Sequence, residues 1–159
     1  MIRPARAEDI PAAAALMAKA YAVHFRPIIG EAALGFDQAH FEARFARDLA
    51  DLTVFDDGGI EGLLLLAGGH IAMLFAATPG GGHGTALLAH AEAQGARSLE
   101  VFDTNDRARR FYERAGWRVA SEYQREFAGA EHRFLRYEKH SSSKRGESLA
   151  CKERGGGEV

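Results

Sequence analysis

The chain contains a single cysteine, Cys151. That excludes an intrachain disulfide and a cysteine-cluster metal site, and no metal centre is expected. Long apolar runs are also missing. No stretch reaches the roughly 18 residues of a membrane helix; the most apolar segment, Gly62 to Ala77, is broken by Gly68, Gly69 and His70. The opening MIRPARAEDI has no apolar segment of signal-peptide type. Net charge is only −2, which gives no reason to expect a nucleic acid or an anionic membrane as partner. No internal repeat is present. The expected setting is a reducing cytoplasm, and the expected assembly a monomer or homodimer.

What is present is ordinary globular material: 159 residues, 47% apolar and 26% charged, enough for one domain with a real core. That domain is expected over residues 1–139. Residues 140–159 (HSSSKRGESLACKERGGGEV) are rich in serine, glycine and charge and are expected to be a disordered tail.

A first strand is read at Ile2–Ala5. Asp9 is expected to cap a helix over Ala12–Phe25, which Pro27 ends. A second helix runs from Asp37 to Leu49, where Phe41, Phe45 and Leu49 recur every four residues. Thr53–Phe55 is a strand, and Asp57-Gly58-Gly59 a hairpin turn. Ile60–Leu66 and His70–Ala76 follow as strands, then a helix over Thr85–Gln94, a strand over Arg97–Phe102 and a helix over Asn105–Arg114. Trp117–Tyr123 and His132–Tyr137 close the domain as a pair. The order predicts an α/β (α+β) fold. Its sheet is mixed, mostly antiparallel and roughly six- to seven-stranded, with about four helices on its faces. The fourth strand, third helix and fifth strand form a central parallel, right-handed unit.

The turn TPGGGHGTALL follows a strand and opens a helix. A helix start has unpaired N–H groups and partial positive charge, and glycines let a phosphate approach them. A P-loop is excluded, because Thr85 and Ala86 follow Gly84 where lysine and serine or threonine are required. A dinucleotide fingerprint fails too: its third glycine would fall on Thr85 or Leu87, and the unit follows an antiparallel meander. The remaining pattern is Gly82-x-Gly84 opening an apolar helix. On its own it is equally compatible with a plain flexible loop.

A second segment, NDRARRFYERAGW from Asn105 to Trp117, places Ala108, Phe111, Tyr112 and Ala115 on one helix face. Tyr112 falls at the core-side edge, within reach of the crevice between the fourth and fifth strands. Plain packing of an amphipathic helix would produce the same pattern.

Together the two segments resemble the GNAT superfamily of N-acetyltransferases, over Met1 to about Lys139 in element order as well as motif. The family's coenzyme A signature, Gln/Arg-x-x-Gly-x-Gly/Ala, is matched at Gly82 and Gly84, but its first position holds Pro79. The family's later signature, Asn-x-x-Ala-x-x-Phe-Tyr-Glu-x-x-Gly-Phe/Trp, is matched by Asn105, Ala108, Phe111, Tyr112, Glu113, Gly116 and Trp117. The resemblance implies acetyl-CoA as cosubstrate and a small-molecule amine or amino acid as acceptor. It places the phosphates on Gly80, Gly81, Gly82, His83, Gly84 and Thr85, and the pantetheine along Leu74, Phe75 and Ala76 and beside Asn105, Ala108 and Phe111. Arg110, with Arg107 and Arg109, could hold the 3′-phosphate. Tyr112 is the implied general acid.

A lysine-like amine has a pKa of about 10.4 and must lose a proton before it attacks. Many relatives carry a glutamate on the fourth strand; its equivalent here is Ala72. His70 is the first candidate base, with Glu100 and Glu122 as alternatives. The acceptor region is expected around Tyr21, His24, Phe25, Phe36, Tyr123 and Phe134. Two rival readings remain: a non-catalytic acyl-coenzyme A binder, favoured by Pro79 and Ala72, and an adenine-nucleotide module, favoured by the glycine turn alone.

Overall fold

The computed structural model describes residues 1–139; the segment expected to be a tail lies outside them. A seven-stranded sheet runs in the order β1-β2-β3-β4-β5-β7-β6. Its strands are β1 (Ile2–Pro4), β2 (Leu52–Asp56), β3 (Ile60–Ala67), β4 (His70–Ala76), β5 (Ser98–Phe102), β6 (Arg118–Phe127) and β7 (Ala130–Glu138). All neighbouring pairs are antiparallel except β4 and β5. The helices are α1 (Ile10–Ala20), the single turn α2 (Arg26–Ile29), α3 (Gln38–Arg47), α4 (His83–Ala93) and α5 (Asp106–Arg114). The mixed, mostly antiparallel sheet with a central parallel pair matches the sequence reading. Among the described residues, no helix is long and apolar enough to cross a membrane.

Two local expectations fail. The first helix does not stop at Pro27. After α1 the chain continues through a π-turn, Tyr21–Phe25, then α2 and a 3₁₀ stretch, Gly30–Gly35. Pro27 sits in the first turn of α2, where its missing N–H has no helical partner to lose. Asp9 does not cap α1. Its carboxylate accepts the Arg6 backbone N–H at 2.8 Å and is clasped by the Arg3 guanidinium at 2.8 and 3.0 Å. Arg3 also reaches Asp56, so this buried cluster ties the first strand to the end of β2. The Arg3 hydrogen bonds, opposed by burial, hold the Asp9 carboxyl at about 2.

The sheet separates two apolar clusters. On one face α1 and α3 bring Met17, Phe41 and Phe45 onto Val54, Leu63 and Leu65. Asp37 caps α3 by accepting the His40 N–H. On the other face α4 and α5 bring Leu87, Leu88 and Tyr112 onto Leu64, Leu99 and Val101. Gly62 allows that close approach: a Cβ there would lie 2.9 Å from Leu87 Cδ1 and from the Phe75 carbonyl oxygen. Trp117 is 1% exposed in the second cluster, and its indole N–H donates to Glu92 of α4 at 2.9 Å.

β4 carries a bulge. Leu65 pairs with Met73 and Leu66 with Ile71, which leaves Ala72 unpaired. Ile71 therefore packs in one cluster and Met73 in the other. Simple alternation would put residues 70, 72 and 74 on one face; the bulge breaks that count.

Candidate active site

β4 and β5 are paired only at His70 with Ser98 and at Ile71 with Leu99. Beyond Ile71, β4 keeps β3 on one side and has no strand on the other. The gap opens into a cleft of about 670 Å³. From β4 it is lined by Leu74, Phe75 and Ala76, and from the glycine turn by Gly80, Gly82, Gly84 and Thr85. From α5 it is lined by Asn105, Ala108, Arg110, Phe111 and Tyr112. The two sequence signatures thus meet in one cleft.

Each wall has a local cause. Gly80 and Gly82 have φ of +77° and +84°, a region that L-residues with a Cβ rarely adopt. They fold the turn so that α4 starts at His83 with its N-terminus towards the gap. A Cβ on Gly84 would stand 3.5 Å from the Phe111 ring, so the small residue lets α4 and α5 close over the sheet. Asn105 caps α5 by accepting the Ala108 N–H at 3.2 Å, which gives the first residue of the later signature a structural role.

Tyr112 is 7% exposed and packs against Phe111, Trp117 and Tyr137. Burial pushes its hydroxyl well above the ordinary tyrosine value, so it keeps its proton at any working pH. Arg109 is turned away: it donates to the Tyr137 hydroxyl and to the Asp103 carbonyl, both at 3.0 Å. Arg107, Arg110 and Arg114 line the cleft instead, with Arg44 and Arg125. Of these five arginines Arg44 pairs with Asp48 and Arg125 with Glu100, the one carboxylate among the described lining residues; the remaining three, on α5, make a surplus that suits a polyanionic ligand.

Two residues assigned to the phosphate turn do not line the cleft. Gly81 faces back onto Thr78. His83 stacks on Phe55 with ring centroids 4.1 Å apart, and its buried Nδ1 has no hydrogen-bond partner among the described residues. Of the candidate bases, His70 lines the cleft with Nδ1 2.8 Å from the Ser98 hydroxyl. Glu100 accepts from Tyr123 at 2.6 Å and from Arg125. Burial raises its pKa, but those hydrogen bonds outweigh burial and the net shift is downward. Glu122 pairs with Arg133 on the exposed side of the β6–β7 hairpin.

On the face opposite α5, the cleft is walled by Tyr21 and Phe25 from the π-turn, Met73, Phe102, Phe127 and Phe134. Tyr21, His24, Phe25 and Phe134 are where the sequence reading put the acceptor region. Phe36 and Tyr123 stand behind the lining, against Phe127 and Phe134 respectively. Phe102, Arg125 and Phe127 were missed. Strand alternation could have found them: Glu100 and Phe102 share a face of β5, and Tyr123, Arg125 and Phe127 share one of β6.

No family model matches the sequence, and no curated protein is similar to it. Solved structures are. The chain is similar to a GCN5-related N-acetyltransferase from Rhodopseudomonas palustris, with 25% identity over 87% of this chain and 94% of that one and a TM-score of 0.67. It is similar to the apo form of YjaB from Escherichia coli, with 22% identity, 87% and 95% coverage and a TM-score of 0.68. It is also similar to the PaiA N-acetyltransferase of Thermoplasma acidophilum in complex with coenzyme A, with 15% identity, 88% and 98% coverage and a TM-score of 0.64. The structural neighbours are mostly GNAT-family N-acetyltransferases, and the chain has their fold. The likeness to the Rhodopseudomonas protein supports an acyltransferase in general terms.

Proposed function

We propose that this protein is an N-acetyltransferase that takes acetyl-CoA and passes the acetyl group directly to a primary amine in a ternary complex. The observation that carries the reading is the shared cleft: the free edge of β4, the glycine turn at the start of α4 and Tyr112 of α5 all line it. The residues fit the cosubstrate. Backbone N–H groups of Gly80, Gly82, Gly84 and Thr85 would take its pyrophosphate, the unpaired side of β4 from Met73 to Ala76 its amides, and Arg110 with Arg107 its 3′-phosphate.

In the reaction a C–N bond forms as the amine attacks the thioester carbonyl, and the C–S bond breaks. A β4 backbone N–H stabilises the developing oxyanion. Tyr112 gives its proton to the departing sulfur, and the proton lost by the amine restores it through solvent. Ala72 supplies no base at the bulge, so the amine loses its proton to water or to His70.

Acetyl-CoA should raise the melting temperature, with a gain of about 2.7 kcal/mol at 100 times its dissociation constant. An amine should then release thiol from it. A shift without turnover for any amine would favour the acyl-coenzyme A binder, for which Ala72 speaks. No shift at millimolar acetyl-CoA would remove the proposal.

A further inference from the structure

We infer that the acceptor is a monoamine carried on a flat apolar body, an arylalkylamine, held in the aromatic lobe of the cleft; this rests on the acetyl-transfer reading above. The lobe is one wall of the cleft, made of rings that come from the π-turn, β5 and the β6–β7 hairpin and pack on one another. Tyr21 stacks on Phe25 at 4.4 Å, and Phe25 meets Phe102 at 5.9 Å. Phe102 in turn meets Phe134 at 4.6 Å and Phe127 edge-on at 5.5 Å. Phe36 stacks on the outer face of Phe127, with an interplanar angle of 4°, and holds the hairpin tip against the segment after α2. Rings set at such angles accept another ring edge-on or offset, and their faces attract an ammonium group.

Charge narrows the class further. A polyamine needs carboxylates for its second and third ammonium groups. Glu100 is the one carboxylate among the described lining residues, and it is held by Arg125 and Tyr123. An amino acid needs a cation for its carboxylate. In this lobe Arg125 is paired with Glu100 and lies over the Phe134 ring at 4.2 Å, and Arg44 is paired with Asp48 at 2.7 Å. Burial and, after it, the charge of Arg107 lower the His24 pKa, and Arg107 is offered above to the 3′-phosphate. A monoamine with an apolar body makes neither demand, and its body replaces water against five rings.

The test compares kcat/KM for 2-phenylethylamine, n-butylamine, spermidine and alanine at saturating acetyl-CoA. Phenylethylamine should exceed n-butylamine by roughly tenfold or more, with spermidine and alanine lower still. Phe127→Ala and the volume-keeping Phe25→Leu should each collapse the phenylethylamine-to-butylamine ratio towards one. Both should keep the thermal shift by coenzyme A, which reports that the coenzyme half is intact. A preference for spermidine or alanine, an unchanged ratio in both variants, or no turnover with any of the four overturns the inference. If coenzyme A still shifts the wild-type protein in those cases, only the acceptor assignment falls. If it does not, the acetyl-transfer reading falls with it.

Discussion

The two halves of the cleft are built from opposite materials. On the side proposed for the coenzyme the wall is backbone and cation: glycines of the turn, the unpaired edge of β4 and the arginines of α5. On the side proposed for the acceptor it is rings, with Arg125 paired to Glu100 and Arg44 to Asp48. Backbone N–H groups bind any phosphate ester alike, so the first half can be common to many proteins of this fold. A set of rings at fixed angles selects a shape. On the proposed function, specificity therefore resides in the second half.

Variants can break that division. The largest effect is expected for Tyr112→Phe, which keeps the ring and removes the proton donor. Turnover should fall by roughly 10²–10⁴ while the thermal shift with acetyl-CoA is unchanged; turnover at the wild-type level would return Tyr112 to a packing role. The pH–rate profile sharpens the same point. If water takes the amine proton, the rate should climb with pH towards the amine's own pKa. If His70 takes it, the rate should level off once the imidazole is neutral, well short of the amine's own pKa, and His70→Ala should remove the plateau.

A smaller effect is expected for the Arg3–Asp9 clasp, which lies outside both halves. The folded Asp9 carboxyl titrates at about 2, below its ordinary 3.8. Its contribution is therefore present above roughly pH 4 and is lost as pH falls towards 2, where the carboxyl becomes protonated. Urea unfolding should show Asp9→Asn less stable than wild type by about 2 kcal/mol at pH 7 and nearly equal to it near pH 2.

Gly82→Val should cost about 1–2 kcal/mol through its positive φ. It should also weaken the acetyl-CoA shift while leaving the ring preference for acceptors intact. The smallest effect belongs to Arg110→Ala. It should weaken acetyl-CoA several-fold, as expected for an exposed ionic contact, and leave binding of a coenzyme lacking the 3′-phosphate unchanged.

The same division explains what could be read from the chain. Asn105 to Trp117 and Gly80 to Thr85 are contiguous segments in which a cap, an apolar stripe and a turn each leave a local pattern. Their meeting in one cleft followed from element order. The aromatic lobe leaves a fainter mark. Tyr21, Phe25 and Phe134 are named from the sequence, while Phe102 and Phe127 lie far from them in the chain, and each alone looks like core. The bulge at Ala72 had no glycine or proline to announce it, and alternation across it pointed the wrong way. Pro27 misled because its effect depends on where a turn begins, which the π-turn before it decides. Gly81 and His83 belong to the turn by sequence, yet with positive φ at Gly80 and Gly82 neither lines the cleft.

Trp117 is the only tryptophan in the chain. It is held by Glu92 and lies 6.2 Å from the Tyr112 ring. In spectroscopic terms the protein therefore carries one fluorophore that can be excited apart from its four tyrosines, at the junction of α4, α5 and the start of β6. Its emission reports on a single environment. A red shift on unfolding records the loss of that junction alone, and a change on adding a ligand can be assigned to the α5 side of the cleft without any label.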